Sequence, residues 1–267
     1  MAINRIEKKF RELKQRKKKA FIVFITAGFP NFTITRKLVL ELEKSGADLI
    51  ELGVPFSDPL ADGPVIQESS RLSIESGTNL NKILALVKSL RQQTQIPLCL
   101  MTYYNLIFCF GKKRFLKLAQ SSGVDGIIIP DLPPEEDRDF IRNAAKHNID
   151  TIFFLSPTTP IKRVPFINKF SRGFIYYVSL TGVTGPRNRL PVDLVGSIRR
   201  FKKYTDKPVC VGFGISRPEQ VRQINHYADG VIVGSAVIKK IQQNIGKPDL
   251  VKRVTRFVKH LSSIPNA

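Results

Sequence analysis

The 267-residue chain has no tryptophan, two methionines and three cysteines. Cys99, Cys109 and Cys210 lie in apolar, strand-like runs without CxxC spacing, which excludes a disulfide scaffold. Buried thiols of a reducing compartment are expected instead. His147, His226 and His260 are too scattered for a zinc cluster, so no metal site is expected. No stretch approaches the roughly 20 apolar residues of a membrane span, and the first residues lack the apolar centre of a signal peptide. A cytoplasmic protein with no membrane partner is the expectation. Charged residues at 24% and hydrophobic residues at 42% are ordinary usage, so whole-chain disorder is excluded.

Acidic charge is what runs short. Asp and Glu number 22 against 43 Lys and Arg, a net charge of +21. Residues 1–19 carry nine Lys/Arg and two Glu, and residues 236–267 carry seven and one Asp, so 13 of the 21 excess charges sit at the two ends. A basic nucleic-acid-binding protein is therefore the alternative of a different class. No aromatic interleaving or nucleic-acid motif accompanies the charge. Ile6, Phe10 and Leu13 at helical spacing make the first segment an ordinary amphipathic helix, so nucleic acid is not the expected partner.

Short apolar runs alternate with amphipathic stretches throughout. Strands are expected at 20–26, 48–53, 97–103, 126–130, 151–155, 174–179, 208–212 and 230–233. Each is rich in Ile, Val, Leu and Phe without polar alternation, the signature of strands buried on both faces of a parallel sheet. Helical patterns fill the intervals, at 33–45, 81–93, 112–121, 134–147, 161–170, 191–204, 218–226 and 235–243. Eight strands alternating with eight helices predict an α/β (β/α)8 TIM barrel, which takes roughly 250 residues. An extra N-terminal helix precedes it and a further helical stretch, 248–261, extends its end. No linker, repeat or low-complexity stretch stands out, so residues 1–267 are expected to form one domain.

In such barrels chemistry sits at the C-terminal ends of the strands. The second strand ends Leu49-Ile50-Glu51-Leu52-Gly53, and a Glu among apolar residues of a buried strand breaks the local pattern. Burial raises a carboxyl's pKa, which makes a general acid usable near neutrality. The following loop holds Asp58 and Asp62 and is stiffened by Pro55, Pro59 and Pro64, so it can return carboxylates over the barrel mouth. Taken singly, Asp58 and Asp62 are equally compatible with turn formation.

Glycines mark three later strand ends: Leu180-Thr181-Gly182-Val183-Thr184-Gly185, then Gly212-Phe213-Gly214-Ile215-Ser216, then Gly234-Ser235. Small residues let backbone N–H groups approach an anion, and helix N-termini near Ser216 and Ser235 add favourable dipole ends. A small phosphorylated ligand is expected there.

Six blocks occur in order: GADLIELGVPFSDPLADGPVIQ, LMTYYNLIF, GIIIPDLPPEE, SPTTP, YYVSLTGVTGPRN and VGFGISRPEQV. Together they resemble the signature of the tryptophan synthase alpha subunit family, over nearly the whole chain. The resemblance implies a lyase of tryptophan biosynthesis that reversibly cleaves indole-3-glycerol phosphate into indole and glyceraldehyde 3-phosphate. By matching motif positions it implies Glu51 and Asp62 as catalytic residues, Glu51 as a neutral acid and Asp62 as an ionised carboxylate in a wetter loop. It implies Phe24, Met101, Tyr103, Ile128 and Tyr176 for the indole pocket, positions that would otherwise read as barrel core. Gly185, Gly214, Gly234 and Ser235 match the phosphate site, and Thr184 the loop that closes over Asp62. The resemblance further implies a beta-subunit partner in an alpha2beta2 heterotetramer, with pyridoxal phosphate in that partner and no cofactor in this chain. Leu106 replaces a common Pro of the family pattern. Alternatives within enzymes are a stand-alone indole-releasing lyase or another phosphate-binding barrel.

Overall fold

The computed structural model describes residues 3–178, 194–212 and 214–263. In chain order α1 (Arg5–Gln15) precedes β1 (Ala20–Thr26), α2 (Phe32–Lys44), β2 (Leu49–Gly53), α3 (Pro64–Glu75), α4 (Leu80–Leu90) and β3 (Leu98–Met101). Next come α5 (Tyr104–Phe110), α6 (Lys112–Ser122), β4 (Gly126–Ile128), α7 (Arg138–Lys146), β5 (Asp150–Ile152), β6 (Phe154–Leu155) and α8 (Val164–Phe170). The described chain continues through β7 (Ile175–Val178), α9 (Leu194–Lys202), β8 (Val209–Gly212), α10 (Pro218–Asn225), β9 (Gly230–Val233), α11 (Ser235–Gln242) and α12 (Leu250–Ser262).

Every pairing is parallel, in the order β5-β4-β3-β2-β1-β9-β8-β7-β6. The two outermost strands are successive pieces of the fifth expected strand, interrupted at Phe153. The Phe153 carbonyl accepts from the Tyr176 N–H at 3.0 Å, so the ring closes through this break into a (β/α)8 barrel. Side chains alternate across the strands. Ile22, Leu49, Cys99, Ile128, Cys210 and Ile232 fill the interior, while Val23, Ile50, Leu98, Ile127, Val211 and Val231 pack outward against the helices.

The amphipathic reading of the N-terminal segment holds. Ile6 is fully buried in the interior cluster, Leu13 is buried, and the Phe10 ring lies 5.7 Å from Phe174, so α1 covers the bottom of the barrel. Asn4 locks its start: the side chain accepts from the Ile6 N–H and donates to the carbonyls of Asp125 and Asn148, each at 2.8 Å. Three aspartates just before strands fasten the bottom edge. Asp48, Asp125 and Asp229 accept from the N–H groups of Phe21, Leu98 and Val209 at 2.8–2.9 Å.

The structure corrects several expectations. Two helices, α3 and α5, have no counterpart in the apolar pattern. The residues α3 buries fully are Ser69, Ser70 and Ser73, while its apolar Val65, Ile66 and Leu72 pack only partly buried against the core, so the apolar signal of its packed face is weak. The Ser69 hydroxyl bonds to that of Thr26 at 2.6 Å, and the Ser73 hydroxyl donates to the Ala27 carbonyl at 2.6 Å. The helix expected from residue 134 begins at Arg138, where Asp137 caps it by accepting from the Phe140 N–H. Cys99 and Cys210 are buried as expected, but Cys109 is exposed because it lies on the outer face of α5. Among the described residues no helix is long and apolar enough to cross a membrane.

Candidate active site

Glu51 lies on β2 with Phe24 of β1 opposite on one side and Cys99 of β3 on the other. It shares the inward face with Leu49, two residues before it. Its relative exposure is 0%, and neither carboxyl oxygen has a hydrogen-bond partner. Burial alone raises its pKa to about 8, which keeps the carboxyl protonated at neutral pH. A buried acid whose oxygens face no donor is suited to meet a bound molecule.

The loop from Val54 to Gly63 leaves β2 and returns to the mouth. The Val54 N–H donates to the Met101 carbonyl at 2.8 Å, and the Asp62 N–H to the Pro59 carbonyl at 3.1 Å. Gly63 and Pro64 start α3, whose Gln67 side chain donates to the Asp62 carbonyl at 2.8 Å. Asp62 is 7% exposed, so the wetter surroundings expected for it are corrected to a nearly buried position. Burial raises its pKa to about 6 against a hydrogen bond from Tyr103, leaving it mainly ionised at neutrality. Asp58 is not gathered with the other two carboxyls: it is exposed and accepts from the neighbouring Ser57 hydroxyl.

Phe24 pairs with Glu51 across β1 and β2, Ile128 belongs to the interior cluster, and Met101 and Tyr176 pack against that cluster. Phe24 packs its ring over Gly53, where any β-carbon would overlap it. Met101 pairs with Ile128 across β3 and β4. The Tyr176 ring and hydroxyl occupy the space that a side chain at Gly212 would need. Burial drives the Tyr176 phenol pKa well up, and nearby acidic groups, Glu51 and Asp62 among them, add to the rise. Tyr103 follows β3 and turns its hydroxyl to the Asp62 loop, a role its aromatic type did not reveal.

Of the cradle residues, Gly214 has φ +44 and no atom within 4 Å of where a β-carbon would sit. This is a left-handed, open position of the kind glycine favours. Gly234 caps α11 without a side-chain hydrogen bond, and exposed Ser235 is the helix's first residue. The turn at Ser216 is different, because the Ser216 and Arg217 N–H groups both donate to Gln220 Oε1 at 2.9 and 3.1 Å. The two helix starts expected to share an anion are therefore unequal. Thr184 and Gly185, like residues 179–193 as a whole and Phe213, lie outside the described residues. Among the described residues no group of three or more His, Cys, Asp or Glu side chains is placed to hold a metal ion.

Comparison with known proteins agrees with this architecture. A family model described as tryptophan synthase alpha chain matches residues 10–264. The chain is similar to the tryptophan synthase alpha chain of Geotalea uraniireducens, 49% identical over 261 residues, covering 98% of this chain and 97% of that one. It is 43% identical over 262 residues to the alpha chain of a Thermoanaerobacter species, covering 98% and 100%. Among solved structures, tryptophan synthase subunit alpha from Legionella pneumophila superposes with a TM-score of 0.92 at 38% identity, covering 98% of each chain.

Proposed function

The chain belongs to the tryptophan synthase alpha chain family and is a lyase of the alpha reaction, and from that premise we propose how its own residues carry the chemistry. The substrate is indole-3-glycerol phosphate, and the products are indole and glyceraldehyde 3-phosphate. Cleavage breaks the bond between indole carbon 3 and the adjacent hydroxyl-bearing carbon. Glu51, neutral and buried, donates its proton to indole carbon 3. Positive charge then develops on the ring nitrogen, and ionised Asp62 stabilises it by accepting the indole N–H. The Glu51 carboxylate next takes the proton of the glycerol hydroxyl as that carbon becomes the aldehyde. The electrons of the broken bond return to the indole ring, and Glu51 ends protonated as it began.

The observation that carries this reading is the fully buried Glu51 carboxyl, with no partner for either oxygen, at the same barrel mouth as the Asp62 loop. Phe24, Met101, Ile128 and Tyr176 form the apolar walls for the indole. Gly214, Gly234 and Ser235 receive the phosphate, with the uncapped start of α11 supplying N–H groups and a favourable dipole. Gly185 is assigned to the same phosphate and Thr184 to the closing loop on motif position. Residues 1–267 act as one catalytic domain and need no cofactor of their own. The chain pairs with a beta subunit that holds pyridoxal phosphate, in an alpha2beta2 assembly in the cytoplasm.

The test is indole release from indole-3-glycerol phosphate by the chain alone and with a beta subunit. Slow release that rises sharply with the partner is expected. Fast release without it would make the chain a stand-alone lyase, and no release under either condition would overturn the catalytic assignment. The pH profile adds a second check. Activity needs Asp62 ionised and Glu51 protonated, so kcat/KM should fall below about pH 6 and again above about pH 8. A profile flat from pH 5 to 9 would contradict both roles.

A further inference from the structure

The loop that carries Asp62 is tied to the barrel through one aromatic side chain. The Tyr103 hydroxyl accepts from the Ala61 N–H at 3.0 Å and donates to Asp62 Oδ2 at 3.1 Å. Its ring lies 5.2 Å from the ring of Phe56, earlier in the same loop. The next residue is anchored where α5 begins. Both carboxylate oxygens of Asp131 accept from the Tyr104 N–H, at 2.9 and 3.2 Å, at the start of α5. Among the described residues the other carboxylate oxygen of Asp62, Oδ1, has no hydrogen-bond partner.

We infer that Tyr103 is a positioning residue for the lyase reaction: its hydroxyl grips Asp62 Oδ2 and turns Oδ1 toward the indole N–H. The inference rests on the reading of Asp62 given above. It changes what Tyr103 is for. A pocket wall needs only the ring, whereas a residue that orients a carboxylate needs the hydroxyl. Donation to the charged form of Asp62 also favours ionisation, so the same hydrogen bond aims the acceptor and keeps it negative. Among the described residues the titratable groups acting on the pair are Asp131 on Tyr103 and Tyr176 with Asp62, Glu51 acting in turn on Tyr176, and no cationic group joins them. The Tyr103 phenol is held above its ordinary pKa by burial first and by the Asp62 charge second, so it remains a donor throughout the working range.

The experiment compares wild type, Y103F, D62N and the Y103F/D62N double variant, each with a beta subunit, by kcat and by pH profile. Y103F keeps the ring against Phe56 and removes only the hydroxyl. Its kcat should fall about ten- to hundredfold, the effect of losing one hydrogen bond to a charged group, with little change in KM. Its acidic limb should move upward by about one pH unit as Asp62 loses the donor. The double variant should be no slower than D62N, since a positioning residue has nothing left to position. A Y103F enzyme with an unmoved acidic limb, or a double variant slower than D62N by the full Y103F factor, would overturn the inference and return Tyr103 to a pocket wall. Wild-type activity in D62N would instead overturn the reading of Asp62 itself, so the two failures are distinguishable. Titration of the Asp62 carboxyl by 13C NMR in wild type and Y103F gives the same shift without turnover.

Discussion

Glu51→Gln is expected to abolish indole release and, at the same time, to make the protein more stable. The activity loss follows from the proposed chemistry: the amide has the shape of the neutral acid but no proton to give and no base to form, so a fall of at least about a thousandfold in kcat is expected. The stability gain follows from burial. The folded-state pKa of Glu51 is about 8 against an ordinary 4.5, and the carboxyl gains no hydrogen bond in return. A raised pKa means that folding favours the proton-bound form. The proton-linked stability is fully present below about pH 4.5 and is lost progressively as pH rises to about 8. Each pH unit in that window costs about 1.4 kcal/mol. The substituted amide does not titrate, so the variant's advantage over wild type should widen across the window and reach roughly 3–5 kcal/mol at its upper end. Denaturant unfolding of both proteins at pH 5, 6.5 and 8 tests this. A constant difference across the three values would mean that Glu51 is not held out of water in solution.

The second large effect lies at the opposite end of the barrel. Asp125 precedes β4 and is almost fully buried; it accepts from Arg91 Nη2 at 2.5 Å, Arg5 Nη1 at 2.9 Å and the Leu98 N–H at 2.8 Å. The Arg91 side chain, 10% exposed, also donates to the carbonyls of Gly123 at 2.8 Å and Ile96 at 2.6 Å. Burial raises the Asp125 pKa and lowers that of Arg91 despite their mutual attraction, so the pair as a whole contributes little net stability. Breaking it is another matter. Asp125→Ala leaves the Arg91 charge buried without its counter-ion, takes from the Leu98 N–H its side-chain acceptor and leaves Arg5 on α1 only its hydrogen bond to Gln95. A loss of about 3–5 kcal/mol is expected, read as a lower denaturation midpoint with an unchanged slope. Replacing both partners with apolar residues, Asp125→Leu with Arg91→Met, should cost clearly less than Asp125→Ala alone. A single substitution costing under about 1 kcal/mol would show that water reaches this network.

The strands were readable because burial on both faces demands uninterrupted Ile, Val, Leu and Phe, and that demand is local. Glu51 stood out for the same reason, as a charge where only apolar residues belong. Other parts of the barrel leave no such trace. The fully buried contacts of α3 are serine hydroxyls on Thr26 and the Ala27 carbonyl, and its apolar Val65, Ile66 and Leu72 are only partly covered, so hydrophobic periodicity has little to report. The break at Phe153 that divides β5 from β6 is a property of ring closure, and the residues around it read as one continuous strand. Cys109 sits in an apolar run, yet its exposure depends on which face α5 turns outward.

The site divides along the same line. Glu51, Asp62 and the glycines that end the late strands are identifiable as residue types at positions. The pairing of Tyr103 with Asp62 joins residues 41 apart in sequence and depends on where the loop lands after the barrel has closed. Ser216 and Ser235 look alike in the chain, but only packing places Gln220 on the first turn and leaves the start of α11 without a side-chain cap. Composition, periodicity and motif order by themselves determined the barrel, the family and the two carboxyls, because each is expressed in the kind of residue that occupies a position. The raised pKa values of those carboxyls, the hydrogen bond from Tyr103 to Asp62 and the start of α11 left without a side-chain cap were decided by tertiary structure alone, because desolvation and hydrogen bonding arise only where distant segments exclude water together.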